Sequence, residues 1–194
     1  VSLPILQMNV DEDGDNGIKC IALVDNPAIQ VGWIAFADQD IKYAIESEDE
    51  RIVFGAVLIP NQKIYRRFDG IGECYVMASE QAIRQTRDKF FKNKNTDMVS
   101  ADHGGQKVQA YLVESFISNS KRGMPSPKPF DRLPDGTLFM SYKIEDENIW
   151  ADVKSGKFLG FSLEGNFRLD DTKSEDMQIL DEIEQLLNKI NTLK

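Results

Sequence analysis

Residues 158–169, FLGFSLEGNFRL, alternate apolar and polar side chains along their whole length. A period of two is the signature of a strand with one face buried and the other left to polar groups. Phe161, Leu163, Phe167 and Leu169 would share the buried face, and Ser162, Glu164, Asn166 and Arg168 the other. Such a strand needs partners, and the chain supplies several. IKCIALV (18–24), VGWIAFA (31–37), IVFGAVLIP (52–60), ECYVM (73–77), KVQAYLVESFIS (107–118) and TLFMSYKI (137–144) all read as strands, with 63–68 able to pair with 52–60. Two helices are expected. One runs from Ser79 as N-cap to about Asn93, with Ala82, Ile83, Thr86 and Phe90 on its inner face. The other spans Glu145 to Ser155, with Ile149, Trp150 and Val153 inward and Gly156 as its stop. Residues 38–51 are charged and read as a loop. Asn119 to Asp135, rich in Pro, Gly and Lys, reads as a long mobile loop. Strands outnumber helices and do not alternate with them regularly. The expected class is therefore mainly β with flanking helices (α+β), a barrel or sandwich in preference to a doubly wound sheet.

Bulk properties set limits on function. With 194 residues, 41% of them hydrophobic, the chain can bury one ordinary core, assigned to residues 1–170. In 171–194, Ile179, Ile183, Leu186, Ile190 and Leu193 are spaced 4, 3, 4, 3. That seam suits either a short coiled coil or an amphipathic helix docked on its own domain. No apolar run reaches about 18 residues, so no membrane helix is expected. Val1 to Val10 lacks the layout of a secretory signal. Val1 in place of Met points to a processed or cut end. A net charge of −9 with no dense basic cluster argues against nucleic acid as a partner. Lys89, Lys92 and Lys94 fall at a helix end, where the dipole favours cations. Cys20 and Cys74 are far apart, which fits a reducing compartment. One His and two scattered Cys cannot make a zinc set, and no cofactor is indicated. DEDGDNG (11–17) hints at a calcium loop, but Ala22 stands where the bidentate Glu belongs, so a solvated turn is the better reading.

His103 is the sole histidine, so imidazole chemistry near neutral pH must use it. It ends an apolar approach, just ahead of Gly104 and Gly105. Ser162, in GFSLEG, could be a nucleophile if a base took its proton and oriented N–H groups held the oxyanion. Gly160 and Gly165 bracket it and would let a peptide lie close. The spacing does not match a nucleophile elbow, and a serine on a polar strand face is ordinary. Glu114 is the odd residue of its strand, sharing a face with Val108, Ala110, Leu112 and Phe116. A carboxylate there is either tucked beneath a partner or at a bend. His103 is one candidate partner, and a cation such as Arg168 is another. Asp102 adjoins His103 but would point the other way if extended. Glu164 shares a face with Ser162 and is the second choice for an acid.

The run NIWADVKSGKFLGFSLEGNF (148–167), with LVESFI (112–117), DH (102–103) and ALVDNPAI (22–29), resembles the XkdF-type branch of the phage prohead serine proteases. The resemblance spans roughly 18–169, and the long W-x-x-V-K-S-G-x-F-x-G-F-S-x-E-G pattern carries it. It implies a β-barrel surrounded by helices, related to the herpesvirus assemblin protease. It also implies a peptidase working inside the immature capsid, in the host cytoplasm. Such an enzyme trims scaffold and other head proteins, and itself, before DNA is packaged. Its implied partners are scaffold and major capsid protein, with a second copy in a dimer or higher oligomer. The family nucleophile falls on Ser162 and its histidine on His103. The second histidine of the herpesvirus relatives has no counterpart here. The acid-bearing segment of other prohead proteases matches CIALVDNPA, which lies at the N-terminus and carries Cys20, so the branch looks circularly permuted. Glu114 is taken as the third catalytic member, ahead of Glu164. The 119–135 loop is a candidate cover for the cleft, and the last helix a candidate docking element. Two rival readings are a catalytically silent assembly module and a small-ligand-binding barrel.

Overall fold

The computed structural model of the chain describes residues 3–11, 13–25, 44–47, 50–102 and 106–171, with 44–47 described by backbone alone. The expected strand at 31–37, His103 to Gly105 and the expected helix beyond Asp171 lie outside the described residues. In chain order the strands are β1 (Ile5–Asn9), β2 (Gly17–Val24), β3 (Ala44–Ser47), β4 (Ile52–Leu58), β5 (Ile64–Phe68) and β6 (Gly72–Met77). They continue with β7 (Val99–Ala101), β8 (Gln106–Lys107), β9 (Ala110–Ile117), β10 (Leu138–Ile144), β11 (Gly160–Asn166) and β12 (Arg168–Asp171). Helix α1 (Glu80–Lys92) lies between β6 and β7, and α2 (Glu147–Lys154) between β10 and β11.

Both helices form where their caps and stripes predict. The Ser79 hydroxyl accepts the Ala82 N–H at 3.1 Å, and Ala82, Ile83, Thr86 and Phe90 are buried. The Asp146 carboxylate accepts the N–H groups of Asn148 and Ile149 at 2.9 and 3.1 Å. Ile149, Trp150 and Val153 face inward. Gly156 follows with φ +77°, the left-handed stop that glycine adopts without a Cβ penalty.

The strands form three four-stranded sheets, ordered β12-β1-β6-β5, β3-β4-β10-β9 and β11-β2-β7-β8. Among the described residues the protein is mainly β with two α-helices, as the composition of elements suggests. The expected single barrel is not seen: among the described residues the pairings do not close. One large core joins the sheets, with Ile21, Leu23, Val53, Val57, Met140, Tyr142 and Phe161 among its members. Central β10, flanked antiparallel by β4 and β9, is largely buried on both faces. Its outer face carries a second cluster, in which Phe54, Phe116, Phe130 and Phe139 meet at ring-centroid separations of 5.2–6.3 Å.

Several local expectations change. β5 pairs with β6, not with β4, whose neighbours are β3 and β10. The charged stretch 38–51 contains β3, paired antiparallel to β4. Residues 119–135 are irregular, but they are fastened at both ends. The Asp135 carboxylate accepts the Ser120 N–H and hydroxyl at 2.9 Å, and Phe130 is fully buried in the outer aromatic cluster. This segment therefore covers the outer face of the β10 sheet. The strand expected at 158–169 is two strands. A bulge at Glu164/Gly165 precedes a break at Phe167, and β12 joins a different sheet by pairing with β1.

The acidic turn at 11–17 is organised around a cation from its own chain. The Lys89 ammonium, from the last turn of α1, donates to the carbonyls of Asp11 and Gly14 and to Asn16 Oδ1. Arg168 pairs with the carboxylates of Asp11 and Asp170. Lys89 thus does more than answer the helix dipole: it ties the β1–β2 turn to α1.

Candidate active site

Among the described residues β11 comes first in the strand order of its sheet and pairs antiparallel with β2, which in turn pairs parallel with β7. The register sets Ser162 opposite Ala22, and Ala22 opposite Ser100. Glu164 lies opposite Cys20, two positions along the same row of side chains. Residues directly paired across a sheet share a face. Phe161, Ile21 and Leu23 point into the large core, whereas Ala22, Val24 and Ser162 are buried without belonging to it. Ser162 therefore stands on the face turned away from that core, and it is 4% exposed.

This face gathers polar groups. The Ser100 hydroxyl donates to Glu164 Oε1 at 2.7 Å, reaching diagonally across β2. Lys107 lies opposite Ser100. Burial pushes the Cys20 thiol above its ordinary range; a hydrogen bond with Ser100 opposes this, Glu164 adds to it and the Lys107 ammonium pulls it back. Sequence reasoning singled out Ser162 and Glu164, and through the resemblance Cys20 in the segment that matches the acid-bearing one, but missed Ser100. Ser100 was detectable as the polar residue of an apolar strand; linking it to Ser162 required the β2–β7 register.

The two other candidates have different positions. His103 is outside the described residues, but the chain reaches it through Asp102. That residue has φ 51°, a left-handed conformation that Asp tolerates better than most residues, so the extended case considered for it does not apply. Its N–H donates to the Leu23 carbonyl at 3.0 Å, and Leu23 is paired with Phe161. Glu114 is exposed on β9. A register shift opposite Ser141 and Tyr142 leaves Val113 without a partner and reverses the alternation beyond it. Leu112 packs on the large core, while Phe116 packs on the outer cluster. Of the two settings expected for Glu114, the bend is the one observed. It lies opposite Ser141, whose hydroxyl is 3.5 Å from its carboxylate, on the outer face of the β10 sheet. The structure brings Ser162 together with Glu164 and Ser100, not with Glu114. Arg168, the alternative partner for Glu114, is committed to Asp11 and Asp170.

Beside β11 lies a pocket of about 160 Å³, bordered by Ser162 and walled by side chains that include Val57, Ile64, Phe68, Leu163 and Phe167, with Arg66 as its cation. The 119–135 segment does not line this pocket. Gly165 also has a different role from the one expected. A Cβ there would stand 2.1 Å from the Gly17 carbonyl oxygen, so the missing side chain admits β2, not a substrate.

A buried serine that shares a strand face with a carboxylate is an arrangement compatible with serine hydrolase chemistry. The comparison with known families is specific: the model described as "Putative phage serine protease XkdF" matches residues 40–170, more than half of the chain, and the protein belongs to that family. The matched range contains β11, β7 and β9 but not β2, the strand that joins β11 to β7. No curated protein and no solved structure matches the chain.

Proposed function

We propose that the chain is a serine endopeptidase, with Ser162 as nucleophile and His103 as general base. One observation supports the reading above all: Ser162, Ala22 and Ser100 form a single cross-strand row, and the chain leaves β7 two residues later at Asp102. Two strand spacings separate β7 from β11 by about 10 Å. His103 lies outside the described residues, and its role as base rests on the sequence resemblance. Glu164 suits the role of positioning acid better than Glu114, because it shares the face of Ser162 and already accepts a hydrogen bond there.

In this mechanism His103 takes the Ser162 proton as the hydroxyl oxygen attacks the peptide carbonyl. Backbone N–H groups along β11 hold the oxyanion. The C–N bond then breaks, the imidazolium gives its proton to the leaving amine, and water hydrolyses the acyl-enzyme. In this reading an extended peptide lies beside β11 by strand addition. The proposed substrates are scaffold and capsid-associated proteins of the phage head, and the chain itself. The proposed setting is the prohead in the host cytoplasm, with scaffold, major capsid protein and a second copy as partners. The kinship with assemblin and the permuted order of segments belong to this proposal and rest on the sequence resemblance.

The burial of Ser162 favours one second reading, a catalytically silent assembly module with the same fold. A fluorophosphonate probe separates them. Labelling at Ser162, lost in Ser162→Ala and strongly reduced in His103→Ala, is the expected result. An unlabelled wild-type chain, with identical processing in Ser162→Ala, would leave the silent module.

A further inference from the structure

Strand β7 is three residues long, and all three are buried. Val99 and Ala101 are apolar; Ser100, 3% exposed, is the polar residue between them. A hydroxyl taken out of water is costly unless a protein group replaces the lost hydrogen bonds. Here the replacement is a carboxylate. Ser100 donates to Glu164 Oε1 at 2.7 Å, a length typical of a hydroxyl held by an anion. Ser100 pairs with Ala22 and Glu164 with Cys20, so this contact crosses β2 and joins β7 to β11, which are not neighbours in the sheet. The intervening side chains, the Ala22 methyl and the Cys20 thiol, are both short. Two residues on, the Asp102 N–H donates to the Leu23 carbonyl at 3.0 Å. β7 is thus fastened to the strands around Ser162 twice, by the Ser100 side chain and by the main chain next to His103. A competitor for the carboxylate is close by. Lys107 stands opposite Ser100, and its ammonium acts on the Cys20 thiol of the same face.

We propose that Ser100 is a positioning residue of the peptidase, whose hydroxyl fixes the Glu164 carboxylate on the face and in the row of Ser162. The role rests on the peptidase reading above, in which Glu164 is the positioning acid. Ser100 touches neither the substrate nor the reacting atoms in this scheme and acts through Glu164. A glutamate side chain is among those that lose most rotamer freedom when fixed, so a free Glu164 would sample many placements of its charge. A misplacement of about 1 Å in a catalytic array can cost about a hundredfold in rate. One short bond to a buried, rigid strand removes that freedom, because a serine on β7 has itself little room to move.

The test follows labelling of Ser162 by a fluorophosphonate probe in the full-length chain, with saturation kinetics to separate probe binding from the covalent step. Ser100→Ala should slow the covalent step about tenfold, the low end for a hydrogen bond to a charged group, and leave probe binding within about twofold. Ser100→Thr, which keeps the hydroxyl, should recover most of the loss. The decisive arm puts the same change into a Glu164→Ala chain. With no carboxylate to hold, Ser100→Ala should there alter labelling by less than about twofold, whereas a residue that merely supports its strand would cost as much in either background. If Ser100→Ala fails to fold by circular dichroism, Ser100→Cys, close in size and a much weaker donor, takes its place in both backgrounds. Equal labelling rates in Ser100→Ala and the wild type would overturn the proposal, and so would a loss of the same size in the Glu164→Ala chain. The wild type reports separately on the peptidase reading. An unlabelled Ser162 would remove the reaction and this role together, whereas a labelled wild type matched by Ser100→Ala would remove this role alone.

Discussion

The β11 sheet and the β10 sheet contribute to one core but use their other faces differently. Behind β10, Phe54, Phe116, Phe130 and Phe139 pack into a second apolar cluster, and the 119–135 segment covers it. Behind β11, the corresponding positions hold Ser162, Glu164, Cys20 and Ser100. Buried polar groups must find partners or lose stability, whereas buried aromatics only need neighbours. The difference separates the part of the molecule that maintains the fold from the part available for chemistry. It also explains why Glu114, on the aromatic side, is a weaker candidate than its sequence context implies.

Substitutions on the two faces should therefore fail in different ways. Phe139→Ala removes a fully buried ring that touches three other aromatics, and should cost about 3–5 kcal/mol in urea unfolding. If instead that variant kept its stability, the outer cluster would not be the structural face. Gly165→Ala should cost about 1–3 kcal/mol, because the new methyl meets the Gly17 carbonyl and β11 must shift from β2. The shift should also disturb Ser162, so fluorophosphonate labelling should slow beyond what the stability loss explains. Glu164→Gln should lower kcat by roughly tenfold to a hundredfold, the size of one or two charge-assisted contacts. It should also move the acid limb of the pH profile to lower pH, because a neighbouring carboxylate raises a histidine pKa. Glu114→Gln should change neither quantity by more than about twofold; a larger effect would return Glu114 to the site. At the small end, Asp146→Ala should remove the α2 cap for about 1 kcal/mol and leave the peptide chemistry intact, as a melting curve and a rate assay would show.

Much of this architecture can be read from local pattern. The stripe Ala82, Ile83, Thr86, Phe90 and the caps Ser79 and Asp146 mark both helices because caps and 3.6-residue periodicity act within a few residues. Strand partnerships are less legible, because hydrogen bonds between strands leave no trace in composition. This is why β5 was matched to β4 and not to β6. Bulges are harder still. One extra residue in β9 puts Leu112 and Phe116 on opposite faces, and sets Glu114 on the side of Phe116. A second bulge ended the row of Ser162 before it reached Arg168.

The turn at 11–17 is acidic, and a positive charge is supplied to it by Lys89 through a covalent tether. A counter-ion fixed in this way cannot be diluted, exchanged or stripped by a chelator. The join between the N-terminal hairpin and α1 should therefore hold equally well in EDTA and in millimolar calcium. Whatever regulates this protein, the ionic composition around that turn is a poor lever for it.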